Sequence, residues 1–364
     1  MIRRFWYKYK QIVVGLILVL LIGGLIYIGV TTQNNQKETE IEKLVQDTFP
    51  GVAMGTAVKM TIYSESNERN EQINQVLEEA LTQLEQEISV RISDSDVYIC
   101  NNFYKVNHPF CELSEELRSY LQQELEINQE TDGAFSPCIR PIAELWGIES
   151  GKNTIPAAQE IEKTLENTKA SDLEITQEGI IFHHEDMQID FGATGKGIAC
   201  DQAVKKLEEL KVPAAVVSIG GSIAVYGSKG KRQSWHIGIQ DPRGAEGDVL
   251  GVLNLSEGKM ISTSGDYEKY FEQDGKRYHH IFDPSTGYPA ESGLISVTIV
   301  SDSGFLSDAL STACFVMGLE KGMEYAEQKG VEAIFVTEDK EVYVTKEMSK
   351  HFVLQAEGYK LGEK

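Results

Sequence analysis

Residues 261–289 pack polar, turn-forming and titratable groups more densely than a plain structural hairpin needs. Asp274-Gly275 separates Tyr267–Glu272 from Arg277–Phe282, two runs of strand-forming residues, and so predicts a β-hairpin. Period-two alternation over 277–282 puts Tyr278, His280 and Phe282 on one face and Arg277, His279 and Ile281 on the other. The run then breaks at Asp283-Pro284-Ser285-Thr286-Gly287, a shaped turn. A histidine beside such a turn can move a proton near neutral pH, where its ordinary pKa lies. Taken alone, the segment is more plainly read as a turn whose polar side chains are satisfied.

Two further clusters bear on chemistry. In Asp190-Phe-Gly-Ala-Thr-Gly-Lys-Gly197, the glycines let backbone N–H groups approach a ligand, and Lys196 adds charge at the start of a helix. The glycine spacing fits neither a Walker A loop nor a dinucleotide fingerprint. Asp308 and Thr312 stand four residues apart, so on a helix their oxygens point the same way beside the apolar stripe Leu306, Ala309, Leu310, Ala313, Val316 and Met317. Such an oxygen pair suits a hard cation such as Mg2+; an acid near a helix N-terminus is the plainer explanation. Thr131–Pro137 reads as a turn leading into an apolar strand or loop that reaches Trp146, with Phe135 and Trp146 able to cover a planar ring or simply to fill core. Ser93–Asp96 resembles a calcium loop only superficially and reads as a turn.

These segments need elements to hold them. Ala57–Tyr63 reads as a strand, and 66–89 as an amphipathic helix with Ile73, Val76, Leu77, Ala80, Leu84 and Ile88 at helical steps. Further helices are expected over 114–130, opened by Ser114, and over 156–168, 197–210 and 303–328, the last as one long helix. Strands are expected at 214–219 and near 223–226, 235–239, 249–254 and 294–300. Helices and strands mix without strict alternation, which predicts an α+β fold, not a doubly wound one.

The chain has 364 residues. Residues 1–11 are basic, with Arg3, Arg4, Lys8 and Lys10, and 12–30 is an uncharged apolar run of 19 residues, long enough to cross a bilayer. The flanking charge predicts a cytoplasmic amino terminus and an exported remainder. An uncleaved anchor is the favoured reading over a cleaved signal peptide, because the run is long and no clean cleavage site follows. Residues 31–50 then suit a tether or short helix, and 51–364 the folded domain. Net charge is −22; the first 33 residues carry four basic residues and no acid, so the remainder carries −26. That argues against a sequence-independent grip on nucleic acid, which needs a basic surface. The five cysteines, at 100, 111, 138, 200 and 314, show no zinc spacing and indicate no disulfide framework, although one disulfide stays open. Cys314 reads as a buried small hydrophobe.

Taken in order, MGT (54–56), DSDVYICN (94–101), DGAFSP (132–137), DFGATGKGIACDQA (190–203), VSIGGS (217–222), STSGDYEKYF (262–271), YHHIFDPSTG (278–287) and SDALSTACFVMG (307–318) resemble the ApbE family. The resemblance implies an ApbE-like, T-fold-related α+β domain with mixed and antiparallel sheets and packed helices. It implies transfer of FMN from FAD to a Thr or Ser hydroxyl of an exported acceptor protein, with release of AMP. Hydrolysis of FAD to FMN and AMP, or flavin binding without turnover, are the alternatives. By the same resemblance Mg2+ would be held by Asp308, Thr312 and the carbonyl of Ala193, Lys196 would help hold the phosphates, and His280 would be the general base. Met54, Ala134, Phe135, Ser136, Asp190 and Ile281 would lie at the flavin nucleotide. The chain departs from the family pattern at Arg91 (usually Tyr), Ser136 and Cys138 (usually Asp and Thr), Gly195 (usually Ala) and Ser222 (usually acid or amide).

Overall fold

In the computed structural model, which describes residues 44–103, 110–228, 234–255 and 258–362, the folded domain starts earlier than expected. Strand β1 (Val45–Ala53) pairs antiparallel with β2 (Thr56–Ser64), and Met54-Gly55, both at positive φ, make the turn between them. Helix α1 (Asn67–Ile88) buries Ile73, Leu77, Leu81, Leu84 and Ile88, and Ser66 caps it by accepting the Arg69 N–H at 3.2 Å. Asn70 on the buried face of α1 donates to the Val45 carbonyl (3.1 Å) and to Asp47 (2.8 Å). This clip makes residues 45–50 a strand, correcting the tether expected there. Polarity suggested a linker, yet an edge strand needs only alternate burial.

Ser95 caps α2 (Asp96–Phe103) by accepting the Tyr98 N–H, so Ser93–Asp96 is the expected turn. A disulfide between Cys100 and Cys111 ties α2 to β3 (Phe110–Glu112), answering the question the odd cysteine count left open. Cys138, Cys200 and Cys314 are free and buried. Helix α3 (Glu115–Glu130) is capped by Ser114. The apolar stretch before Trp146 is helix α4 (Arg140–Trp146), not a strand or loop: Pro141 sits in its first turn, where no N–H is missed, and Gly147 (φ 61°) closes it. Helix α5 (Ala158–Leu165) and the short strands β4 (Leu173–Ile175) and β5 (Gly179–Phe182) follow; β5 is the middle strand of a small antiparallel sheet, between β3 and β4.

The remaining elements are α6 (Gly195–Glu209), β6 (Ala214–Ile219), β7 (Ser222–Gly227), β8 (Trp235–Gln240), β9 (Val249–Leu255), β10 (Lys259–Gly265), β11 (Tyr270–Gln273), β12 (Lys276–His279) and β13 (Leu294–Ser301). They end with α7 (Gly304–Met317), α8 (Leu319–Lys329), β14 (Glu332–Thr337), β15 (Glu341–Val344), β16 (Phe352–Leu354) and β17 (Lys360–Leu361). The helix expected over 303–328 is two helices, because Gly318 takes a backbone conformation (φ 80°, ψ 179°) that no side chain favours.

Among the described residues one sheet runs β1-β2-β6-β7-β10-β13-β14-β15-β17, mixed because β15–β17 is parallel, as the α+β reading expects. One face carries Val58, Met60, Ile62 and Val217 against α1 and α6, and Val297 and Ile299 against α7 and α8. The other face carries Ala214, Val225, Ile261 and Ile295 against the small sheet β16-β9-β8, through Trp235, Ile237 and Leu253. Every residue of β13 is buried, which fits a central strand covered on both faces. Among the described residues no helix is long and apolar enough to cross a membrane; the basic segment 1–11 and the anchor expected at 12–30 lie outside them.

Candidate active site

A cavity of about 350 Å³ opens where the β1–β2 turn, the 190–196 loop, the Gly220-Gly221 turn, β10, α7 and the segment after β12 converge. It brings together Met54, Ala134, Phe135, Ser136 and Asp190 with Ala193, Lys196, His280, Ile281 and Thr312. Asp308 is not on its wall but directly behind, 2 % exposed. Trp146 is core, not a cover for a ring: its Nε1–H donates to the Gly287 carbonyl (2.8 Å), and it packs on Tyr278, Phe282 and Tyr288.

The 190–196 loop is pinned from three sides. Asn101 clips Ile189 with both amide atoms, accepting its N–H (2.9 Å) and donating to its carbonyl (2.8 Å). The Asp190 N–H donates to the Pro137 carbonyl, which joins the loop to the 131–138 turn. That turn is itself held by Asn128, donating to the Phe135 carbonyl at 2.6 Å. Thr194 donates to Glu124 of α3 at 2.6 Å. Glu124 is fully buried, and burial pushes its pKa well above the ordinary carboxyl range, against the pull of the Thr194 hydrogen bond. Asp190 accepts the Gly192 N–H (2.8 Å) and faces Arg140 at 3.6 Å. Burial raises its pKa, against the pull of Arg140.

On α7, Asp308 accepts the Gly197 N–H through Oδ2 (2.9 Å) and the Ser222 hydroxyl through Oδ1 (3.3 Å), with Lys196 Nζ 3.6 Å away. Burial opposes charge on Lys196, but Asp308, Glu268 and Glu149 outweigh it and raise its pKa. The Gly197 N–H is the donor that would otherwise continue the helical ladder onto Ala193. Turned to Asp308, it leaves the Ala193 carbonyl with no hydrogen bond from any described residue. A carbonyl, a carboxylate with long contacts to Oδ1, and the Thr312 hydroxyl are hard oxygen donors, so the residues present fit a hard divalent cation. No cluster of three His, Cys, Asp or Glu side chains offers another such site among the described residues.

Sequence reasoning missed the seam that seats these donors. Ser262 bonds Ser222 and Ser307 (both 3.0 Å), and Ser264 bonds Ser311 (2.8 Å) and Thr312 (3.1 Å). Alternate hydroxyls on β10 thus meet hydroxyls on one face of α7. The signal was legible in principle, as period two in Ser262-Thr-Ser264 opposite a four-residue step in Ser307 and Ser311.

The expected alternation over 277–282 fails after His279. Strand β12 ends there, and the chain bends so that His280, Ile281 and Phe282 all line the cavity. Phe282 instead bridges to Pro289, and Ala290 donates to the Ile281 carbonyl, a turn that overrides strand periodicity. His279 is the satisfied core histidine: one ring nitrogen meets the Ala290 carbonyl (3.1 Å) and the other the Ile281 N–H. His280 is half-buried. Its ring Nδ1 lies 3.2 Å from the Lys269 carbonyl, which can only accept, so Nδ1 carries the hydrogen and Nε2 is left with its lone pair. Burial and then the Lys269 charge push its pKa down to about 4, so the ring is neutral at pH 7. Glu149, also missed, binds Lys269 (2.7 Å) and Arg91 (2.8 Å) at the cavity wall. Although burial opposes its charge, these cations hold its pKa well below the usual range. Nothing in its surroundings, Ile148-Glu149-Ser150, marks it in sequence.

A poised neutral histidine, a lysine and hard oxygen donors around one cavity define an α+β enzyme of group transfer. The family model described as the ApbE family matches residues 54–335, and the chain belongs to that family. It is similar to the FAD:protein FMN transferase of Escherichia coli (strain K12), 28% identical over 335 residues covering 90% of this chain and 93% of that protein. The FAD:protein FMN transferase of Treponema pallidum is 30% identical over 309 residues, covering 80% and 84%. Among solved structures, the ApbE protein of Thermotoga maritima superposes with a TM-score of 0.77 at 31% identity, over 84% of this chain and 99% of that one. The apo flavinyl transferase ApbE of Pseudomonas stutzeri gives 0.74 at 30%, over 86% and 98%.

Proposed function

We propose that this chain is an FAD:protein FMN transferase, which moves FMN from FAD to a Thr or Ser hydroxyl of an exported protein. The acceptor oxygen forms a bond to the FMN phosphorus while the bond from that phosphorus to the bridging oxygen breaks. AMP leaves with the bridging oxygen, and the acceptor proton passes to Nε2 of His280. The observation that carries this reading is the His280 ring itself, with Nδ1 anchored on the Lys269 carbonyl and Nε2 free beside the cavity. Met54, Ala134, Phe135, Ser136, Asp190 and Ile281 line the nucleotide's place, and Lys196 meets its phosphates. Asp308, Thr312 and the Ala193 carbonyl would hold Mg2+, which when bound neutralises pyrophosphate charge.

The domain works outside the cytoplasm, carried by a single-pass anchor at 12–30 with basic residues 1–11 inside. The Cys100–Cys111 disulfide supports this placement, since such bonds persist in oxidising compartments.

The test is intact-mass analysis of a purified exported acceptor incubated with the chain, FAD and Mg2+. Addition of one FMN with release of AMP, abolished by EDTA, is expected. AMP and free FMN without adduct would make the chain a hydrolase, and bound FAD with neither product would make it a binding module.

A further inference from the structure

Glu268 lies in the bend between β10 and β11 and lines the cavity. Its carboxylate reaches the β6–β7 turn: a β-carbon added to Gly221 would stand 2.8 Å from Oε1. There it makes no hydrogen bond and no ion pair with any described residue. Its neighbour Lys269 turns away to Glu149. Lys196, whose charge Glu268 feels, is already held by Asp308 at 3.6 Å. Two carboxylates therefore surround Lys196 at the corner where a pyrophosphate would enter. Lys196 offsets part of the repulsion between them, and a divalent cation at the same corner would offset the rest.

We propose that Glu268 is the second carboxylate of the cation site, facing the divalent ion from the β10–β11 bend while Asp308 faces it from α7. This rests on the cation reading given above. Mg2+ gives up its waters reluctantly, so a carboxylate placed across the cavity acts by accepting hydrogen bonds from them. Such outer partners change metal affinity by about 10- to 100-fold when removed.

The experiment is a Mn2+ titration of the purified chain without FAD, followed by the electron paramagnetic resonance of free Mn2+, on the unaltered chain and on D308N, E268Q and E268D. FAD affinity in EDTA is measured on the same proteins by flavin fluorescence. E268Q should weaken Mn2+ binding about 10-fold, E268D should recover part of it, and FAD affinity in EDTA should be unchanged or tighter. If E268Q binds Mn2+ like the unaltered chain while D308N does not, the role of Glu268 is overturned and the cation site stands. If E268Q weakens FAD in EDTA and leaves Mn2+ alone, Glu268 contacts the nucleotide instead, and the proposal fails. If D308N binds Mn2+ normally, the cation reading falls and this inference with it.

Discussion

Gly197 and Gly304 meet backbone to backbone where α6 crosses α7. A β-carbon on Gly197 would fall 2.0 Å from the Gly304 carbonyl oxygen, and one on Gly304 would fall 2.2 Å from that of Gly197. Asp201, one turn along α6, accepts the N–H groups of Gly304 (2.6 Å) and Phe305 (2.8 Å) and so locks the crossing. The closeness puts the Gly197 N–H on Asp308 and frees the Ala193 carbonyl. Gly197→Ala should therefore cost about 1–3 kcal/mol of stability through overpacking. It should also raise the metal concentration needed for half-maximal transfer, which denaturant melts and Mg2+ titrations of AMP release would measure together.

His280→Ala should lower the single-turnover rate of FMN transfer by about 10²- to 10⁴-fold, the usual worth of a positioned base. FAD should still bind, because the ring is only one part of the cavity wall; fluorescence titration beside rapid-quench kinetics separates the two effects.

The pH dependence follows from the same ring. With a folded pKa of about 4 against an ordinary 6.5, His280 is a free base throughout the neutral range. The acid limb of kcat/KM in the protein without bound flavin should then fall as pH drops toward 4, not near 6.5. Because the unfolded chain takes up this proton first, the histidine's contribution to stability is lost as pH falls from 6.5 toward 4. His280→Gln should flatten that part of the stability profile in pH-dependent chemical melts.

Glu124 has the opposite sign. Its raised pKa means the folded state holds a proton that the unfolded chain releases above pH 4.5, so stability declines as pH rises. Glu124→Gln keeps an acceptor for the Thr194 hydroxyl and removes the titration. It should gain on the unaltered chain with rising pH, whereas Glu124→Ala leaves the Thr194 hydroxyl only its long contact to the Phe191 carbonyl (3.4 Å), opens a cavity, and should cost about 2–4 kcal/mol at all pH values. Urea melts between pH 5 and 9 would follow both.

Reducing the Cys100–Cys111 bond, or replacing both residues by Ser, should lower stability by about 2–3 kcal/mol, as for a short closed loop. Flavin transfer at low temperature should survive, because neither cysteine lines the cavity; thermal melts with and without reductant would check it.

Local pattern alone determined most elements. Helical periodicity located α1, with Ser66 as its cap, and Ser114 marked the start of α3, because capping and burial act within one or two turns. The motif residues were likewise readable: ten of the expected site residues line one cavity, and Asp308 stands just behind it. What needed the tertiary structure was set by partners distant in sequence. Strand β1 looked like tether until Asn70 bound it, and Glu149 is ordinary until Lys269 and Arg91 converge on it from 120 and 58 residues away. The two histidines are adjacent, and strand alternation does no more than assign them to opposite faces. Only the bend after β12 buries His279 against Ala290 and leaves the Nε2 of His280 free, and that bend is made by Phe282 reaching Pro289 across a turn. Composition and spacing name the groups that can do the chemistry; which oxygen loses its hydrogen bond, and which ring nitrogen keeps its lone pair, is decided by long-range packing.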